Sequence, residues 1–130
     1  MDAKEIRLGN LILKGGLDID TGGIKEEVTE VNYHVLYDVI GRPTNYQPIP
    51  LTEDWLLKLG FSDKEYKKGY IGIDFLNQDF VLTKPKVMGE WHKGYNWEFK
   101  CTWPKFKEFL YVHELQNFFY DLTKIELTIK

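Results

Sequence analysis

The chain has one cysteine, Cys101, among its 130 residues, and it contains no long apolar run. A single cysteine excludes an intramolecular disulfide, and the short apolar runs predict no membrane-spanning helix. The first five residues also lack the basic start and apolar core of a signal peptide. These absences predict a cytoplasmic protein that makes no membrane contact.

A strong charge of one sign is absent as well. The chain has 17 basic and 20 acidic side chains, and its net charge of −3 is too small to identify a partner. Hydrophobic residues make up 43% of the chain and aromatic residues 15%, which is enough for one sizeable core. We therefore expect a single domain over residues 1–130.

Enzyme motifs are also missing, since the chain has neither a phosphate loop nor a Gly-x-Ser-x-Gly elbow. Asp20-Thr-Gly22 matches the aspartic-protease triplet, but that chemistry needs two such motifs whose carboxylates share a proton. Asp18 and Asp20 offer oxygen ligands to calcium, but Gly22 stands where a third ligand is required. A glycine-rich turn is the simpler interpretation. The sequence predicts no enzyme, no catalytic residue and no cofactor.

The side chains that bind transition metals are dispersed along the chain, as His34, His92, Cys101 and His113. None has a second such ligand at helical or Cys-x-x-Cys spacing, so the sequence predicts no metal site. Cys101 falls on the apolar side of a predicted strand, where a buried and unreactive thiol is expected.

Residues 48–61 carry the clearest local signals in the chain. Thr52 is a suitable N-cap, and Leu51 and Leu56 can form a hydrophobic staple across it. Gly60 supplies the left-handed position at which helices commonly end. The pattern predicts a short capped helix.

Residues 1–50 are predicted to form a β-rich subunit that resembles a small barrel. The first strand is expected over Ile6–Leu13, followed by a loop with four glycines over Lys14–Gly23. From Val31 to Val39 every second residue is apolar, which predicts a half-buried element, either one long bent strand or a hairpin.

Residues 51–130 are predicted to contain the capped helix, an antiparallel sheet, a second helix and a closing strand. Tyr70–Leu76 and Phe80–Thr83 flank a plausible hairpin turn. Helical spacing indicates an amphipathic helix over Val112–Thr123, with His113 outside its apolar stripe. The stripe consists of Val112, Leu115, Phe119 and Leu122, and alternation predicts the closing strand at Ile125, Leu127 and Ile129. The fold class is therefore α+β.

Basic and aromatic residues interleave between Lys84 and Lys107, a pattern typical of proteins that bind single-stranded nucleic acid. Strict alternation, however, places part of the set on one face, where core packing is the simpler role: Tyr95, Trp97, Phe99, Cys101 and Trp103. Trp91 escapes this alternation and can stack on a base or a sugar, or dock a protein. The candidate ligand-binding residues are Trp91, His92, Lys93, Lys84 and Lys86.

Two segments, Ile49–Phe61 and Tyr111–Thr128, together with Arg7-Leu-Gly-Asn10, resemble blocks of small uncharacterised proteins found in Bacteroidetes bacteria and their phages or mobile elements. The resemblance implies a class without an assigned activity. We therefore expect a non-enzymatic accessory or interaction protein of the phage or mobile-element type, with a protein partner. The alternative is a module that binds single-stranded nucleic acid or glycan through the Trp91 loop, and an enzyme of unknown class is the second alternative. The oligomeric state is left open.

Overall fold

The structure of the chain is a computed structural model, and the residues it describes fall into six ranges: 1–17, 24–66, 68–75, 78–84, 95–98 and 107–130. These residues form helices and antiparallel sheets, which confirms the α+β class. They cluster into two compact units, the first made of residues 1–50 and 111–127 and the second of residues 51–110 and 128–130. None of the described helices is long and apolar enough to cross a membrane.

The described residues form three α-helices, seven strands and two short 3-10 helices, Ala3–Glu5 and Pro43–Asn45. In chain order the α-helices and strands are β1 (Leu11–Leu17), β2 (Ile24–Glu30), α1 (Tyr33–Gly41), β3 (Tyr46–Gln47), α2 (Glu53–Lys58), β4 (Tyr70–Phe75), β5 (Gln78–Thr83), β6 (Tyr95–Glu98), β7 (Lys107–Phe109) and α3 (Val112–Thr123). The first unit contains the sheet β2-β1-β3, and the second contains the sheet β4-β5-β6-β7. The helices α1 and α3 belong to the first unit, and α2 belongs to the second.

β1 and β2 pair in antiparallel register from Leu11 opposite Glu30 to Leu17 opposite Ile24. β1 therefore extends through Gly15, which the sequence assigned to a loop. β2 was not predicted, because its charged side chains hide the alternation of a strand. β2 lies at the edge of the sheet, where charged residues are well tolerated. The protease-like and calcium-like motifs at residues 18–22 lie outside the described residues.

The strand predicted over Ile6–Leu13 begins only at Leu11. Gly9 has a φ of 91°, and its N–H donates a hydrogen bond to the Val31 carbonyl (2.8 Å). This left-handed conformation, which favours glycine, turns the chain just before the strand. In the described part of the unit, β2 and β3 are the two edges of an open sheet. The barrel-like character predicted for residues 1–50 therefore stays unconfirmed.

The helix α1 replaces the half-buried strand predicted over Val31–Val39. The strand prediction is wrong because the alternating apolar residues divide between two faces of a helix. Val39 is fully buried, whereas Tyr33 and Tyr37 are exposed. The β-branched and aromatic composition suits a strand, but packing against the rest of the unit selects the helix.

The core of the first unit lies where α1 meets the sheet and the N-terminal segment. Its buried cluster consists of Ile6, Ile12, Val31, Val39 and Tyr46. Partly buried apolar side chains pack against this cluster: Met1, Ala3, Leu8, Val35 and Leu36. One side of α1 therefore packs in the core of the first unit.

In the second unit, β4 and β5 form the predicted hairpin, with Phe75 opposite Gln78. Tyr95 in β6 is 6% exposed, as expected for the aromatic side of its strand. The Trp97 side chain and residues 99–106, among them Cys101, lie outside the described part of the chain. The core assignment of those residues therefore stays a prediction.

The capped helix α2 is confirmed in detail. The Thr52 Oγ1 accepts a hydrogen bond from the Trp55 N–H (3.3 Å), and Gly60 has a φ of 98°. The Phe61 N–H then donates to the Leu56 carbonyl (2.9 Å), closing the helix end as a glycine-terminated helix requires.

The helix α3 has the predicted bounds, but its buried side is rotated from the predicted stripe. Leu122 is 51% exposed and His113 only 3% exposed, so both predictions are wrong. The buried residues of α3 are Val112, His113, Leu115, Gln116 and Phe119. The helix turns its polar Gln116 inward because that side chain bonds backbone groups of the unit.

The predicted closing strand is not formed. The C-cap residue of α3, Lys124, has a φ of 59°, and residues 125–130 adopt no strand conformation. Only Leu127 is buried, whereas Ile125 and Ile129 are 37% and 52% exposed. The Leu127 carbonyl accepts its hydrogen bond from the Gln116 side chain (2.9 Å) rather than from a neighbouring strand.

Candidate functional site

The most exposed large apolar side chains in the described part of the chain all lie on α1. Tyr33 is 78% exposed, Tyr37 81% and Ile40 65%. Their spacing of four and seven residues places them within about 60° of the helix circumference, along about 10 Å of its axis. We call these three residues the α1 outer face. An aromatic and aliphatic row this exposed is not needed for packing within the unit.

The helix is fixed to the unit by contacts on its other sides. The Asn32 side chain accepts a hydrogen bond from the Val35 N–H (2.8 Å) and caps the helix start. The Tyr46 hydroxyl donates a hydrogen bond to the Asp38 carboxylate. Burial and this bond raise the pKa of Tyr46 to about 12, so the phenol stays protonated and the bond persists at neutral pH. The α1 outer face is therefore presented by an anchored helix.

A groove of about 650 Å³ borders the α1 outer face, and Ile40 belongs to both. The Met1 ammonium group donates to the Pro43 carbonyl (2.9 Å) across this region. The groove is lined by Met1, Asp2, Ala3, Lys4, Leu36, Val39, Ile40 and Pro43. Most of these side chains are apolar, so the groove extends the apolar surface of α1. We call it the α1 groove.

Opposite charges flank the two ends of α1. Glu30 is exposed two residues before the N-cap Asn32. Arg42 follows the last helical residue, and its side chain is 73% exposed. Its guanidinium lies 3.9 Å from the Asp38 carboxylate, a separation at which an exposed pair contributes little stability.

A polar network joins the N-terminal segment of the first unit to α3 and the segment that follows it. The Arg7 guanidinium holds the Glu126 carboxylate through two contacts of 2.7 and 3.1 Å and lies 4.2 Å from the centre of the Tyr120 ring. The Asn10 amide donates to the Asn117 side chain (2.8 Å). Arg7 and Asn10 belong to the N-terminal motif noted in the sequence, and these contacts give them a structural role.

Gln116 is the buried centre of this network. Its Oε1 accepts from the Leu11 N–H (2.8 Å), and its Nε2 donates to the carbonyls of Leu127 (2.9 Å) and Gly9 (3.4 Å). A fully buried amide with all of its contacts directed to backbone groups specifies packing. Because its hydrogen-bonding groups are occupied within the unit, we assign it no ligand.

His113 is the other buried polar side chain on α3. Its ring stacks on Tyr111 at 5.9 Å between centroids, and its Nδ1 has no hydrogen-bond partner among the described residues. Burial lowers the pKa of His113, while the Glu114 and Glu5 carboxylates act in the opposite direction. The imidazole is therefore neutral at pH 7, and the residue is only 3% exposed.

Of the five ligand-binding residues suggested by the sequence, only Lys84 lies in the described ranges. Its Nζ is 2.9 Å from a Glu53 oxygen and 3.2 Å from an Asp63 oxygen. The bond to Glu53, followed by that to Asp63, raises the pKa of Lys84. This cation already has two carboxylate partners. Trp91, His92, Lys93 and Lys86 lie outside the described residues, so the Trp91 loop stays a prediction.

Potential metal ligands do not gather in the described part of the chain, where no group of three His, Cys, Asp or Glu side chains is placed to hold an ion. His34 is exposed on α1 and His113 is buried on α3. His92 and Cys101 are outside the described ranges.

The α1 outer face was missed at the sequence level because alternation assigned its residues to a strand. One signal available in the sequence was Asn32, a strong N-cap residue directly before the apolar segment. A second signal was helical spacing, since Tyr37 and Ile40 follow Tyr33 by four and seven residues. Exposure itself is a tertiary property and has no local signature.

Comparison of the chain with protein-family models, with curated proteins and with solved structures gives no match. The resemblance to proteins of Bacteroidetes bacteria and their phages therefore stays a prediction, and the functional argument depends on the surface of the first unit.

Proposed function

We propose that this chain is a non-enzymatic interaction protein that binds a protein partner through the α1 outer face and the α1 groove. The observation that carries the proposal is the exposure of Tyr33, Tyr37 and Ile40 on one side of an anchored helix. Isolated exposed apolar residues are ordinary, but a contiguous aromatic and aliphatic row beside an apolar groove is typical of binding surfaces.

The chemistry of this surface suits a protein ligand. Tyrosine removes a large apolar area from water on binding while keeping its hydroxyl at the wet edge of the contact. It also loses little conformational entropy, since two dihedral angles define the side chain. The groove offers a recess for an apolar side chain of the partner, and such filled recesses hold much of the binding energy of known interfaces.

The other two functions remain proposals of lower rank. Binding of nucleic acid or glycan through the Trp91 loop has less support, because Lys84, the one described residue of that candidate site, is already paired with two carboxylates. An enzymatic function has no described constellation in its favour. The link to phages or mobile elements and the cytoplasmic location are carried over from the sequence alone.

Site-specific photo-crosslinking tests the proposal. A photoreactive phenylalanine analogue in place of Tyr37 is expected to form a covalent adduct with a protein in the host cell. The same analogue in place of Leu122, which is 51% exposed on α3 of the same unit, serves as the matched control and is expected to form none. If the Tyr37 position gives no protein adduct above the Leu122 control, the proposed function is wrong.

A further inference from the structure

We propose that the outer edge of β2 binds an extended basic segment of a partner protein, which adds a fourth strand to the sheet β2-β1-β3. The residues concerned are Glu26, Val28 and Glu30, and we call them the β2 edge. This inference goes beyond the proposed function, because the β2 edge belongs to a different element from the α1 outer face.

The first argument concerns the backbone of β2. In the described part of the chain, no strand pairs with the side of β2 that faces away from β1. The Val31 N–H donates to the Asn10 carbonyl (2.8 Å), so this pair is hydrogen-bonded and fixes the phase of the ladder. Because bonded and non-bonded pairs alternate along antiparallel strands, the β2 edge directs its N–H and C=O groups away from β1.

The β1 side of the ladder has the same phase. The Leu11 N–H, opposite the last residue of β2, donates to the Gln116 side chain (2.8 Å) and not to β2. The β2 edge is therefore a row of backbone donors and acceptors of the kind to which an added strand bonds.

The second argument concerns the side chains of the β2 edge, which lie on one side of the strand because successive residues alternate. Val28 is 44% exposed, and the two glutamates that flank it on this side are exposed. Across the ladder these glutamates lie opposite Gly15 and Leu11, and among the described residues neither has an ion-pair partner. Glu27, on the other side of β2, lies opposite Lys14. The β2 edge thus presents two unpaired negative charges around an apolar side chain.

These charges select the occupant. A strand with lysine or arginine opposite each glutamate and an apolar residue opposite Val28 gains two opposite-charge cross-strand pairs. A second copy paired about Val28 would set Glu26 against Glu30 twice, and like charges directly opposite each other are destabilising. Nucleic acid is repelled by the same carboxylates. A single cation does not bridge them, because four residues of strand separate their Cα atoms by about 13 Å.

A synthetic peptide, acetyl-Thr-Lys-Thr-Val-Thr-Lys-Thr-amide, tests the inference by NMR titration of the isotope-labelled full chain at low salt. Its lysines fall opposite the two glutamates when its valine lies opposite Val28. Binding is expected with a dissociation constant of roughly 0.1–1 mM, the weak range for a short peptide that is ordered on binding. Amide hydrogens of the β2 edge should then exchange more slowly, whereas those of Glu27 and Thr29, already bonded to β1, should not change.

Two methylated peptides of equal charge separate strand addition from simple charge attraction. An N-methyl group on the valine removes the N–H that bonds the Val28 carbonyl, so the dissociation constant should rise roughly 10-fold or more. An N-methyl group on the threonine that follows the valine replaces an N–H directed away from β2, so the dissociation constant should stay within about twofold.

Charge reversal of the β2 edge gives the second readout. The double variant Glu26→Lys with Glu30→Lys keeps residues that sheet edges tolerate. It should lose the basic peptide and bind acetyl-Thr-Glu-Thr-Val-Thr-Glu-Thr-amide, which the unsubstituted chain should not bind. Glu30→Lys alone should raise the dissociation constant of the basic peptide roughly 3- to 10-fold. The matched control is Asp121→Lys, at an exposed position on α3 of the same unit, which should change it by less than about twofold.

Three results would overturn the inference: no binding of the basic peptide, equal weakening by the two methyl groups, or no binding of the acidic peptide by the double variant. None of them bears on the crosslink at Tyr37, which lies on α1. The proposed function therefore stands or fails separately.

Discussion

At the scale of single residues, buried polar side chains on α3 organise the first unit. Gln116 bonds backbone groups that are 105 and 11 residues away in the sequence, at Leu11 and Leu127. Breaking such contacts leaves buried backbone groups without partners, and each such group lowers the free energy of unfolding by roughly 1–3 kcal/mol. Helical spacing alone gave no means of identifying Gln116, because its role depends on segments remote in the chain.

The burial of His113 predicts that the stability of the fold depends on pH. Burial lowers the pKa of His113 from the usual 6.5, so below that pH the unfolded chain binds a proton that the folded chain does not. The free energy of unfolding should therefore be highest above pH 6.5 and fall as the pH decreases below 6.5, by at most about 1.4 kcal/mol per pH unit. Urea unfolding at several pH values measures this slope.

The matched variants for this measurement are His113→Gln and His34→Gln. The first should flatten the pH dependence just below pH 6.5, whereas the second, at an exposed position on α1, should leave it intact. An unchanged slope in His113→Gln would show that another group is responsible.

At the scale of elements, α2 depends on its two ends. Gly60→Ala should cost on the order of 1 kcal/mol, since a Cβ is strained at a φ of 98° and would come within 3.1 Å of the Lys130 side chain. Thr52→Ala should cost a similar amount by removing the N-cap hydrogen bond. Thermal unfolding measures both, with Gly41→Ala, where nothing lies near the added Cβ, as the comparison. Equal melting temperatures in all three would contradict the capping account.

The elements that could be predicted from sequence are those with local signals. α2 has its cap and terminal glycine within a few residues, and α3 has an unbroken helical spacing. α1 was predicted as a strand, because the alternation of Val and Tyr is compatible with either a strand or a helix. The helix is selected by tertiary contacts, in which Val39 packs in the core and the Asp38 carboxylate accepts a hydrogen bond from Tyr46. β2 was not predicted because its charged side chains interrupt the alternation typical of a strand. It forms a strand through its pairing with β1.

At the scale of the whole molecule, the proposed function depends on the exposed surface of α1. The candidate site was not predicted, since a strand would bury one side of the Val31–Val39 segment and divide Tyr33 and Tyr37 from Ile40. Only the helix gathers these three side chains on one exposed side. The helical conformation of α1 is therefore the basis of the proposed binding function.

The affinity of the partner for α1 variants is the most direct test of that claim. Once the partner crosslinked at Tyr37 is purified, Tyr37→Ala should weaken its binding roughly 30-fold, as loss of a central aromatic contact does. Leu122→Ala should leave the dissociation constant within about twofold, the expectation for a residue outside the contact. Equal dissociation constants for the unsubstituted chain and Tyr37→Ala, with both chains folded, would contradict the account.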